Sequence, residues 1–212
     1  MSQTMEQKLE NYRVALEGGL HHPVISKRIA TLGYDKKKVK EGLGLHSDVI
    51  QLESLKNERY GNRQGIYDTL QTDREAARQL YIKHITFARL AFKGNKAVWQ
   101  KLQLSGKRKS TLAGWLGQSR IFYQEITHVT ETMATVGITA EELQQAWAMI
   151  EAVAQTRTQW QQEAGEAQWA TQKRNQALRK LDVWMQRYLK VARLALEEDD
   201  QLLEVMGIVV KA

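Results

Sequence analysis

Apolar positions recur every three to four residues along most of the chain, the spacing of a helix packed on one face. Leu9, Tyr12, Val14 and Leu16 predict a short amphipathic helix over residues 5–16, stopped by Gly18 and Gly19. Pro23 suits the first turn of a second short helix, 24–32, because a first turn leaves that N–H unused; Gly33 closes it. Asp35 is placed to cap the next helix. Its stripe is Val39, Leu43, Leu45, Val49, Ile50, Leu52 and Leu55, and Gly61 with Gly65 predicts a break. A second long helix, about 70–92, carries Ala77, Leu80, Tyr81, His84, Ala88 and Ala91 at the spacing of a bundle seam. Gly94 and Asn95 end it, and 97–104 predicts a tail helix presenting Val98, Trp99 and Leu102.

The rest of the chain repeats this plan. Phe87-Ala88-Arg89-Leu90-Ala91-Phe92 returns as Val191-Ala192-Arg193-Leu194-Ala195-Leu196, an offset of 104 residues. At that offset Ala30-Thr31-Leu32-Gly33 meets Ala134-Thr135-Val136-Gly137, Gly61 meets Gly165, and Leu104 meets Ile208. Ser110 is placed to cap a helix over 111–123, and a short helix ends at Gly137. Thr139 and Glu142 fit a capping box ahead of Leu143, Ala146, Trp147, Ile150, Val153 and Ala154. A partner helix over about 167–197 presents Leu181, Trp184, Met185, Tyr188, Ala192 and Ala195. Glycine costs about 1 kcal/mol inside a helix, so Gly61 and Gly165 predict turns that fold each pair of long helices into a hairpin. The expected fold is all-α: a tandem duplication of a helical-hairpin unit, 1–104 and 105–212, packed as one compact four-helix-bundle core with short end helices. The alternative is one very long helix per copy, with dimerisation covering its apolar face.

Composition agrees with helix. Proline occurs once, cysteine is absent, and 42% hydrophobic with 26% charged residues is ordinary for a globular protein. Disulfides and thiolate metal sites are excluded. The polar stretch 1–10 does not read as a secretory signal, and no run approaches a membrane span of about 18 apolar residues. A cytoplasmic location is expected, with no membrane partner. Charge alters the picture more. Residues 1–104 hold 18 Lys and Arg against 11 Asp and Glu, a net of +7, whereas 105–212 hold 13 of each, a net of zero. Lys36, Lys37, Lys38 and Lys40 crowd one helix start, and Lys107, Arg108 and Lys109 sit at the seam between copies. Together they form a candidate anion or nucleic-acid patch; the plainer reading is a solvated surface.

Other candidate chemistry is sparse. Ala88 and Ala91, like Ala192 and Ala195, let a neighbouring backbone approach, while Arg89 and Arg193 lie off that stripe, placed for a carboxylate or helix-end carbonyls. Aromatic residues at helical spacing are mostly core. Trp160 and Trp169, flanking Gly165 in a polar stretch, are the candidate partner surface, unless they pack on each other around the turn. Glu125 and His128 form a lone Glu-x-x-His, a weak metal candidate lacking the second motif that di-iron bundles need. His84 reads as a satisfied core residue. There is no cysteine nucleophile, no Gly-x-Ser-x-Gly elbow, no phosphate-cradling glycine loop and no His-Glu-x-x-His. The expected function is therefore non-enzymatic and without cofactor. It is protein–protein contact with an unknown partner or with itself as a homodimer; the rivals are nucleic-acid binding by the basic face and a small-molecule or metal site within the bundle.

Overall fold

A computed structural model describes residues 3–208. The protein is all-helical, with no strand among the described residues. The helices are α1 (Met5–His21), α2 (Pro23–Thr31), α3 (Lys36–Ala91), α4 (Lys96–Lys101), α5 (Leu112–Ile126), α6 (Thr130–Ala134), α7 (Ala140–Ala195) and α8 (Asp200–Val205), with a 3-10 turn at Thr127–Val129.

Local chemistry starts and stops these helices. Thr4 and Gln7 form a reciprocal capping box on α1. The Asp35 carboxylate accepts the Lys38 N–H at 2.8 Å, and Thr139 Oγ1 accepts that of Glu142 at 3.1 Å. The second half of the expected box at Thr139 is diverted, because Lys83 and His84 engage the Glu142 carboxylate. Thr111, not Ser110, caps α5, accepting from the Gly114 N–H. Gly33 and Gly137 adopt φ of 88° and 82°, the left-handed conformation that lets each short helix end sharply. The tail helix α4 ends at Lys101, earlier than 104, where Gln103 turns left-handed and the Leu104 N–H bonds to the Trp99 carbonyl.

The breaks expected at Gly61 and Gly165 do not form. Both residues lie inside unbroken helices of 56 residues each. Neither has a positive φ. Glycine lowers helix propensity without forbidding helical dihedrals, and packed segments on both sides hold the backbone. The helical-hairpin unit is therefore not formed. Nor does α1 stop at Gly18 and Gly19. Gly19 is there for space: a Cβ would lie 1.9 Å from the Tyr188 hydroxyl, which donates to the Ala15 carbonyl at 3.1 Å.

α3 and α7 have equal length and begin at 36 and 140, 104 residues apart. α4 and α8, six residues each, begin at 96 and 200, again 104 apart. The compact units, however, are bounded differently from the sequence halves. One comprises Met1–Tyr60 with Glu166–Ala212, the other Gly61–Gly165. Each takes one stretch of α3 and one of α7.

The first unit buries Leu16, Ile25, Ile29 and Val39 with Leu181, Met185, Tyr188 and Leu203. Trp184 meets Tyr34 edge-on at 5.5 Å between ring centroids, close over Gly42. Asp182 ties α1 to α7, accepting from Lys8 at 2.7 Å and Tyr12 at 3.1 Å. The second unit buries Leu70, Tyr81, Ile85 and Ala88 with Trp115, Phe122, Tyr123, Leu143 and Ile150. The second unit holds 13 basic and 9 acidic residues, net +4; the first holds 18 and 15, net +3. The basic excess that sequence confines to 1–104 is thus nearly even between the units. No helix among the described residues is long and apolar enough to cross a membrane.

Candidate functional site

The seven basic candidates fall in both units. Lys36, Lys37, Lys38 and Lys40 open α3 in the first. Lys38 is paired with Glu41. Lys36 and Lys37 line an open pocket of about 630 Å³ with Lys27, His21 and Asp35. Lys40 is exposed. Lys107, Arg108 and Lys109 precede α5 in the second unit. Lys107 is exposed, but Arg108 turns inward. Its Nη1 donates to the Tyr81 hydroxyl at 3.2 Å, and its Nη2 to the carbonyls of Gln103 at 2.8 Å and Ser105 at 2.6 Å. The Lys109 N–H donates to Gln118 Oε1 at 3.1 Å.

The tryptophan pair has no turn to fold around. Trp160 is half-buried in the second unit, its centroid 6.1 Å from Tyr67 with the Arg63 guanidinium 5.3 Å over its ring. Trp169 belongs to the first unit, half exposed, with Lys173 Nζ 5.6 Å over its ring. The two tryptophans thus belong to different units.

Glu125 ends α5 half-buried, while His128 sits exposed in the 3-10 turn. Among the described residues no group of three or more His, Cys, Asp or Glu is gathered as a metal site would need.

In the repeated motif Ala88 and Ala192 are fully buried, and Ala91 and Ala195 half-buried. Arg89 reaches carbonyls rather than a carboxylate: Nε donates to Leu104 at 2.9 Å and Nη2 to Gly106 at 3.3 Å. Arg193 is exposed.

Two arrangements escape sequence reasoning. The first joins α3, α5 and α7 of the second unit. His84 has no exposed surface; its Nδ1 accepts from the Tyr123 hydroxyl at 2.9 Å, and its Nε2 donates to Glu142 Oε1 at 3.0 Å. Lys83 Nζ reaches the same oxygen at 2.7 Å. One neutral tautomer satisfies both ring nitrogens. Burial holds the imidazole below its ordinary pKa, outweighing the upward pull of Glu142. The Lys83 ammonium and then the His84 ring hold Glu142 below the usual carboxylate range, and burial pushes the Tyr123 phenol up. Phenol, imidazole and carboxylate are hydrogen-bonded in series, with the imidazole itself out of contact with solvent. The network ties three helices together.

The second arrangement is an apolar groove in the first unit. It holds about 750 Å³ between α2, with its C-terminal Leu32, and the end of α7. Val24, Leu32 and Leu194 line it at 44%, 47% and 64% exposure, with Lys27 and Arg28 on the rim. Asp199 stands 3.8 Å from Arg28. The available signal was Leu194: both copies of the motif keep a leucine off the buried stripe, and Leu90 is likewise 65% exposed.

No protein-family model matches the chain, and no curated protein or solved structure matches it either.

Proposed function

We propose that the protein is a non-enzymatic interaction module whose first unit receives an amphipathic helix of another protein. The groove carries this reading. Val24, Leu32 and Leu194 together leave more apolar surface in one place than singly scattered residues would, and such surface marks a contact site. Lys27 beside it favours an occupant with a carboxylate next to its apolar stripe, Arg28 already facing Asp199. The reading keeps tandem duplication as the origin of the chain, supported by helix starts repeating 104 residues apart. It treats each compact unit as a small helical bundle.

Fluorescence anisotropy tests it. The probe is a labelled helical peptide of about 18 residues, leucine at i, i+3, i+4 and i+7 and glutamate beside them. Labelled duplex and single-stranded oligonucleotides are run in parallel at about 50 and 200 mM salt. Micromolar peptide binding that Leu32→Glu with Leu194→Glu abolishes is the expected result. If only the oligonucleotides bind, with affinity collapsing at the higher salt and lost when Lys36, Lys37, Lys38 and Lys40 become glutamine, nucleic acid takes first place. A dimer in sedimentation that Leu194→Glu dissociates would make a second copy the occupant.

A further inference from the structure

The second unit holds a separate pocket of about 320 Å³ where α3 meets the segment leading into α5. Arg74, Arg78, Arg108 and Lys109 line it, against one carboxylate, Glu75, which stands 3.5 Å from Arg78. Arg74 and Arg108 have no ion pair with a carboxylate among the described residues. They are held instead by neutral oxygens: Arg74 Nη2 donates to the Ser110 carbonyl at 2.8 Å, and Arg108 to Tyr81 and the loop carbonyls. Two guanidiniums are thus held in place by neutral oxygens, and a guanidinium fork matches a multi-oxygen anion in geometry as well as charge.

Four cations around one carboxylate leave surplus positive charge at the pocket, and a compact multi-oxygen anion offsets it where water does not. The 15-residue α5 also begins beside the pocket, just past the lining Ser110, and the start of a helix favours negative charge. Ligand pockets run from roughly 300 to 1,000 Å³, so this one suits a compact group rather than a polymer.

We propose that this pocket binds a phosphoryl-type oxyanion, free or on a small phosphorylated molecule. The site is independent of the groove in the first unit, and either can fail alone. Its test is isothermal titration calorimetry on the full chain in a chloride buffer, with inorganic phosphate, pyrophosphate and glycerol phosphate as separate titrants. Saturable binding below about 1 mM by at least one of them is expected; whichever binds tightest tells whether the anion is free or ester-borne. Arg108 also braces its loop, so the deciding variants are Lys109→Gln and Glu75→Gln, at exposed positions. The first weakens binding about tenfold and the second tightens it, since one removes and the other adds a unit of net positive charge at the site. No heat and no thermal protection up to about 10 mM of any titrant overturns the proposal. So does binding that both variants leave unchanged, or oligonucleotide binding without binding of the small anions.

Discussion

His84 shows how much a single buried side chain depends on partners far along the chain. Tyr123 and Glu142, which satisfy its two nitrogens, are 39 and 58 residues away. The helical stripe made His84 legible as a core residue, but nothing local marks its partners, because sequence spacing carries no record of which helices meet. The consequence is a pH dependence. The unfolded chain protonates this histidine near its ordinary value of 6.5, whereas the folded protein resists protonation. The unfolded state therefore binds more protons below that value, and stability drops as pH falls. Glu142, also lowered, adds a further loss only below its ordinary 4.5. Urea unfolding at about pH 7.5 and 5.5 checks it: wild type loses stability between the two, and His84→Gln removes most of that loss. At neutral pH the same substitution costs about 1–3 kcal/mol by leaving a buried partner unpaired. An undiminished pH slope in the variant would remove His84 from the explanation.

Among the helices the informative residues are glycines, which sequence reasoning treats alike and the fold does not. Gly61 and Gly165 stand in open helix interior, where an added Cβ meets no atom within 4 Å. Gly19 faces the Tyr188 hydroxyl at 1.9 Å. Propensity rates all three as helix breakers, because it is a local average blind to packing on either side. The ends of the short helices before Gly33 and Gly137 were legible, since both glycines take the left-handed conformation their positions announce, whereas those of α1 and α4 were not. The long helices were not, since what decides them is burial of Leu70 and Val153 on one side and Val49 and Leu181 on the other. Thermal unfolding separates the two kinds of glycine. Gly61→Ala and Gly165→Ala should each add about 0.5–1 kcal/mol, as alanine does in an unobstructed helix. Gly19→Ala should destabilise. Loss of stability in Gly61→Ala would point to a turn at that position.

For the chain as a whole, repetition in sequence and compactness in space follow different boundaries. The offset of 104 residues was plain from the paired motif, but the partition at Tyr60 and Gly165 was not. It depends on two helices passing through glycines expected to end them. The candidate sites follow this partition: the apolar groove is built wholly from the first unit, the basic pocket wholly from the second. Arg108 and Lys109 were legible as a charge cluster, but Arg74 and Arg78 were not. They lie 30 to 35 residues earlier on α3, and only the packing of that helix beside the segment leading into α5 brings them to it.

Each unit carries its own buried cluster, and the second is a single stretch of chain. Circular dichroism of residues 61–165 expressed alone, followed through thermal unfolding beside 1–104, puts that organisation to the test. A helical fragment 61–165 that melts in one cooperative step, with 1–104 failing to do so as a monomer, is the predicted result. A cooperative monomeric 1–104 beside an unstructured 61–165 would contradict it, and would return the folding unit to the sequence repeat.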